Sequence, residues 1–380
     1  MKKTLYFCAL LVPAILLCFA CDKNESSTPG GAGETAGVYG NVKVTLNLSD
    51  DNTKTLTTNA KETKINSVQV FIFNKGTAKL ETDRYETISS EVNSTYSVTL
   101  TSLTGNKDIW AVVNAPRLSG IETVNNLKQT ASDLADNRID NLLMTGCIEN
   151  VEVKETNPNV ESKKDVTTNA DIQAFRLGAR ISLEAVTVDF TNTDLEGATF
   201  TLTGMYLKNV VGKVRMDGES SGTGIALDQT SSWYNLTNKA AVDTAPAAVK
   251  ALTADLPVNL GCNSSGTATN LGYSWYVYPN PTPEDQDNTA GSSLPRHTRV
   301  VLKAHLSGTA KRGAVDKDTY YVFSIPMAIQ RNYCYSITGA KITMEGKGDD
   351  DDDDLTTTGK LKATINVQDW SGTTQLTYEI

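Results

Sequence analysis

Val42, Val44, Leu46 and Leu48 alternate with Lys43, Thr45 and Asn47, which predicts a β-strand with one apolar face. A polar segment, Ser49–Lys64, follows it. Ile65–Phe73 (INSVQVFIF) is apolar on both faces beyond Val68, the pattern of a strand covered on both sides. Thr95–Leu100 and Asp108–Asn114 predict two further strands. Ile121, Val124, Leu127, Ala131 and Leu134 recur at three- and four-residue steps, which predicts one helix with Ser119 as its N-cap. The remainder up to about Glu161 has the punctuation of short strands and turns.

Glu161–Asp171 is polar and marks a boundary between two domains. Strands are predicted beyond it at Phe175–Phe190, Thr199–Leu207, Tyr273–Tyr278, Thr298–Leu306, Thr319–Ile325, Tyr333–Met344, Leu361–Trp370 and Gln375–Ile380. They are rich in Val, Ile, Thr and Tyr and separated by Gly, Asn, Asp and Ser turns. An all-β chain follows, with β-sandwich domains at 41–165 and 166–380 and one short helix in the first. The last strand alternates again, Leu376, Tyr378 and Ile380 against Gln375, Thr377 and Glu379. Such a strand pairs within its own sheet, the usual outcome, or with a neighbour's open edge.

The start of the chain has a different pattern. Met1–Lys3 is basic, and Leu5–Ala20 is apolar apart from Cys8, Pro13 and Cys18, too short to span a bilayer. The small Ala20 precedes Cys21, and the chain turns polar at Asp22. Residues 1–20 therefore fit a cleaved signal peptide, and Cys21 the diacylated first residue of a lipoprotein. Cys18 stands where such signals usually have Leu, three residues before the lipidated cysteine, and the plainer alternative is a secreted protein cut near Ala20. Residues 21–40 are a linker, Gly-, Ser- and Thr-rich from Ser26 to Gly40. On either reading the chain leaves the cytoplasm.

Composition narrows the function by exclusion. Against 44 acidic residues there are 35 basic ones, a net charge of −9, which offers no basic surface for nucleic acid. Part of the excess is the run Asp349–Asp354, which suits a solvated loop and lacks the turned geometry of a calcium site. Cys147, Cys262 and Cys334 are an odd set with no zinc spacing, and buried free thiols are expected. His297 and His305, eight residues apart, would lie roughly 26 Å apart along a strand and cannot share a metal. No nucleophile elbow, zinc-binding helix or phosphate-cradling loop is present. No catalytic, cofactor or metal residue is assigned, and the chain is not expected to be an enzyme. Trp233, Tyr234, Trp275 and Tyr276 are the candidates for an aromatic platform if the chain is instead a lipid-anchored protein that binds glycans or host proteins.

Several segments taken in order carry a resemblance. Val42–Leu48 and its polar successor are followed by INSVQVFIFN (Ile65–Asn74) and IWAVVNAP (Ile109–Pro116). FRLGARISL (Phe175–Leu183) has an Arg-x-x-Ala-Arg pattern, and YVYPN (Tyr276–Asn280), RNYCYSITG (Arg331–Gly339) and INVQDW (Ile365–Trp370) come after it. With the lipoprotein signal in front, the chain resembles the fimbrillin family, the pilin subunits of type V pili. The resemblance implies two transthyretin-like β-sandwich domains and a precursor anchored in the outer membrane through its lipid. It implies a cut after a basic residue by a trypsin-like surface protease, at Lys54 or, failing that, Lys61. Where the best-known members have arginine, this chain has none before Arg84. Release of the strand bearing Val42, Val44, Leu46 and Leu48 would open a groove. The donor strand of another copy or a related pilin, through Leu376, Tyr378 and Ile380, would fill it. The product would be a cell-surface fimbrium supporting adhesion, with host surface ligands as further partners.

Overall fold

The computed structural model describes residues 37–48, 60–90, 92, 94–217, 233–234, 253–254, 268–282, 297–348, 362–369 and 375–379. Cys21, Lys54, Cys262, Asp349–Asp354 and Ile380 lie outside them.

The first strands are β1 (Tyr39–Leu48), β2 (Ser67–Asn74), β3 (Leu80–Thr87), β4 (Thr95–Leu103) and β5 (Gly105–Val113). Helix α1 (Val124–Gln129), β6 (Ala131–Asp133), β7 (Met144–Val153) and β8 (Thr167–Arg176) follow. Seven of these strands form a sheet in the order β3-β2-β5-β7-β8-β1-β4. The sheet turns a corner between β7 and β8, which share only the Met144↔Arg176 and Thr145↔Phe175 pairs. Gly146 permits that corner, because a Cβ there would stand 2.2 Å from the Gln173 carbonyl oxygen. The two leaves face each other across one apolar core. Val42, Val44, Leu46, Leu48, Leu100 and Ile172 meet Val70, Ile72, Ile109 and Met144 within it.

The second half begins with β9 (Ala179–Val188), β10 (Thr199–Lys208), β11 (Val210–Val211), β12 (Lys213–Arg215), β13 (Trp233–Tyr234) and β14 (Thr253–Ala254). It continues with β15 (Ala268–Val277), β16 (Arg299–Ala310), β17 (Gly313–Ser324), β18 (Tyr333–Ile342), β19 (Lys362–Asp369) and β20 (Gln375–Glu379). A sheet β14-β10-β16-β17 packs against a sheet β15-β9-β18-β19-β20, with Leu183, Leu207, Trp275, Leu302 and Ile337 in their shared core. That core also takes in Phe71, Phe73 and Trp110 from the outer face of β2 and β5. β2 is thus covered on both sides, as its unbroken apolar run predicts. β6 pairs with β12, tying the halves together through backbone as well.

Three expectations are corrected here. The boundary at 165/166 falls too early: β8 belongs to the sheet of β1, and the passage to the second half is at Leu177-Gly178. The segment Phe175–Phe190 is accordingly two strands. A Cβ on Gly178 would stand 2.7 Å from Asn137 Nδ2 and 2.9 Å from the Val277 carbonyl oxygen. The helix is shorter than its periodicity suggests and is capped by Thr123 rather than Ser119. Thr123 and Asn126 bond reciprocally in a capping box, and Ala131 leaves the helical path because β6 is drawn into pairing with β12.

Candidate functional site

β1 is an interior strand. It pairs antiparallel with β4 from Tyr39↔Leu103 to Asn47↔Thr95, and parallel with β8 from Asn41↔Thr167 to Leu48↔Ala174. Val42, Val44 and Leu46 are fully buried and Leu48 nearly so. Burial of four such side chains is worth roughly 6–12 kcal/mol at 1.5–3 kcal/mol each. The opposite face is polar: Thr101 Oγ1 donates to Asn41 Oδ1 at 3.3 Å, and Ser97 Oγ to Thr45 Oγ1 at 3.2 Å. Gly40 lets the start of the strand press against the end of β7, where a Cβ would stand 2.0 Å from the Lys154 carbonyl oxygen. Removing β1 would therefore expose two rows of ladder groups and an apolar trough, both of which need a replacement strand.

The strands beside β1 have holds of their own. On one side Ser102 Oγ of β4 donates to Glu81 Oε2 of β3 at 2.9 Å, Arg84 Nη1 donates to the Thr99 carbonyl at 3.0 Å, and Tyr96 donates its hydroxyl to Glu86. Glu81 also receives Lys107 Nζ at 2.7 Å and Asn74 Nδ2 at 2.9 Å. Burial works against the charge on Glu81, but the hydrogen bonds from Lys107, Asn74 and Ser102 outweigh it and hold the carboxyl below its usual range. On the other side, Arg331 donates to the carbonyls of Phe175 (3.0 Å) and Arg176 (3.2 Å) at the end of β8. The trough would keep both its walls.

A short 3-10 turn, Ala60–Thr63, precedes β2 and carries a buried acid. Glu62 is 1% exposed and meets Arg180 Nη1 at 2.9 and 3.2 Å through its two oxygens. The Tyr276 hydroxyl donates to Glu62 Oε1 at 2.6 Å, and Arg176 Nη2 donates to the Glu62 carbonyl at 3.1 Å. Arg180 and Tyr276 face each other on β9 and β15, with Cys334 opposite Arg180 on β18. Burial, then the Glu62 carboxylate, pushes the Tyr276 phenol well above its ordinary value. Both arginines of the Arg176-x-x-Ala179-Arg180 pattern thus serve Glu62. Their partner lies 118 residues from Arg180, and no local pattern announces it.

The other candidates fall as follows. Lys61 is exposed on the turn. The backbone of β20, which carries Leu376 and Tyr378, pairs with β19 from Thr364↔Glu379 to Gln368↔Gln375 at the edge of the second half. Trp233, Tyr234 and Trp275 are buried in the core and present no platform, and Tyr276 is occupied by Glu62. Cys334 is buried, as expected, but Cys147 is exposed. His297 is fully buried, 2.7 Å from Ser324 Oγ. His305 lies between Asp316 (3.1 Å) and Asp318 (3.0 Å), because β17 brings them alongside β16. Among the described residues no group of three His, Cys, Asp or Glu side chains could hold a metal ion.

Residues 40–176 match the family model described as major fimbrial subunit protein (FimA), a span that starts in β1 and ends with β8. No curated protein sequence matches the chain. Among solved structures, a fimbrilin (FimA) from Porphyromonas gingivalis is 14% identical, with a TM-score of 0.57 over 87% of this chain and 98% of that one. A candidate cell adhesion protein from Parabacteroides distasonis is 15% identical, with a TM-score of 0.58 over 88% of this chain and 100% of that one. Another from Bacteroides eggerthii is 17% identical, with a TM-score of 0.56 over 89% and 98%. At these identities the solved structures establish the likeness of fold.

Proposed function

On the premise that the chain is a fimbrillin-family protein, a fimbrial subunit with a surface adhesion role, we propose that it polymerises by exchanging β1 for a strand of another subunit. The precursor is exported as a lipoprotein through Cys21 and anchored in the outer membrane. A trypsin-like surface protease then cuts after Lys54, or after Lys61 as the alternative, and β1 departs with its linker. The segment Gln375–Ile380 of a neighbouring copy or related pilin enters the vacated groove, with Leu376, Tyr378 and Ile380 taking the inward positions of β1. A slip of one residue would turn Glu379 into the trough, and burying that charge unpaired is costly. The product has no catalytic role.

The observation that carries this reading is the placement of β1, an apolar strand near the start of the chain with a hydrogen-bonded neighbour on each side. The edge position of β20 supports the donor role, since a strand with one neighbour leaves a sheet at lower cost than one with two. Two measurements test it. N-terminal sequencing of purified filaments should begin at Thr55, and subunits that all retain Val42 would refute strand release. Deleting residues 371–380 should leave a folded, cleavable monomer that forms no filaments by electron microscopy. Filaments of normal length from that variant would rule out the donor assignment.

A further inference from the structure

Lys61 and Lys64 both offer the residue type that a trypsin-like protease selects, yet the backbone around them is tied down. Four consecutive carbonyls are engaged. Lys61 accepts from Lys64 N at 3.3 Å, Thr63 from Ser94 N at 3.4 Å, Glu62 from Arg176 Nη2 at 3.1 Å and Lys64 from Asn114 Nδ2 at 2.8 Å. The residue that follows each candidate bond is buried as well, Glu62 and Ile65 both at 1% exposure. A protease binds its substrate as an extended strand with several residues on each side of the scissile bond, so susceptibility is set by the burial and bonding of that backbone. Here the residue just beyond the Lys61 bond would have to leave Arg180 and Tyr276 first.

We infer that Glu62 is the positioning residue that sets the downstream limit of proteolytic maturation: its anchorage to Arg180, Tyr276 and Arg176 closes the Lys61 and Lys64 bonds to cleavage and confines the cut to the chain before Ala60. The anchor lies where the releasable segment meets the part that must stay. It spares the 3-10 turn, and with it the Arg176 contact at the end of β8, when β1 is removed. The inference rests on maturation by a basic-specific protease, but not on polymerisation or on the identity of the donor.

The test is limited digestion of the full chain by trypsin, followed over time by intact mass and N-terminal sequencing. In the unaltered protein, products beginning at Glu62 or Ile65 should be absent while the folded body persists. Glu62→Gln, which removes the charge that Arg180 holds, should raise the rate of cleavage at the Lys61 bond by about tenfold or more, as expected when a charged hydrogen-bonded contact limits local opening. Tyr276→Phe, which removes one hydroxyl, should raise it by a smaller factor. If Glu62→Gln loses its cooperative thermal transition, Tyr276→Phe decides alone. A Glu62 start arising from the unaltered chain as fast as any upstream cut would overturn the inference. So would folded variants whose Lys61 bond is no more labile than before. Filament assays are independent: a chain that is cut only upstream yet never polymerises would sink the exchange mechanism and leave this inference standing.

Discussion

β1 and β20 share one pattern, apolar residues on even positions and polar ones between, yet the fold treats them in opposite ways. β1 has a partner on each side and its apolar face at the centre of a core, whereas β20 has a single partner among the described strands and sits at a sheet's edge. Period-two alternation decides that a segment is a strand; its neighbours decide how firmly it is held. The contrast suits the proposed exchange, in which the firmly held strand needs a covalent cut to be lost and the loosely held one needs none.

The strongest attempt to break the contrast places the same charge in both strands. Leu46→Asp should cost more than about 4 kcal/mol, enough to abolish the cooperative thermal transition of the precursor, because the carboxylate has no partner in the core. Tyr378→Asp should leave the precursor's transition in place and stop filament growth. If the two variants melted alike, β1 and β20 would not differ as described. Leu46→Ala should cost about 2–5 kcal/mol in denaturant unfolding, the range for a truncated core leucine.

The smallest expected effect concerns a wall of the groove. The carboxyl of Glu81 is held below its usual value in the folded chain, so its contribution to stability is present above its unfolded value, near 4.3, and is lost as pH falls through the lower, folded value. Glu81→Gln also strands Lys107, which is 1% exposed, and should therefore destabilise the precursor at neutral pH. The gap between variant and parent should close as the pH drops below that range, as denaturant melts at several pH values would show. A gap that did not change with pH would remove Glu81 from the account of what holds β4.

The strands with the clearest patterns were legible in the amino-acid sequence, and so was the burial of each. β1 and β2 are determined by side chains alone, because one or both faces must be apolar in their surroundings. β3 was not legible: LETDRYET is polar on both faces, as an edge strand is, and its role lies in Glu81, Arg84 and Glu86 reaching to β4. The end of the helix was misplaced because pairing of Ala131–Asp133 with Lys213–Arg215 overrode local periodicity. Glu62 could not be singled out among the acids of a polar stretch, since what distinguishes it is supplied by β9 and β15. The two arginines of Arg176-x-x-Ala179-Arg180 were a visible signal, but only as a family pattern without a stated task.

The unlike neighbours of β1 have a consequence for any assembly built on its groove. One wall runs parallel to β1 and the other antiparallel, so the groove has a distinguishable head and foot, and an entering strand meets a different hydrogen-bond pattern if it is reversed. In the proposed exchange donor and groove are different parts of the chain, so the contact would be head-to-tail and would not close on itself as a twofold dimer does. Each added subunit must then point the same way as the last. A fibre made by this exchange has polarity, with vacant grooves at one tip and unused donor strands at the other, and so it can distinguish the end that meets the cell from the end that explores.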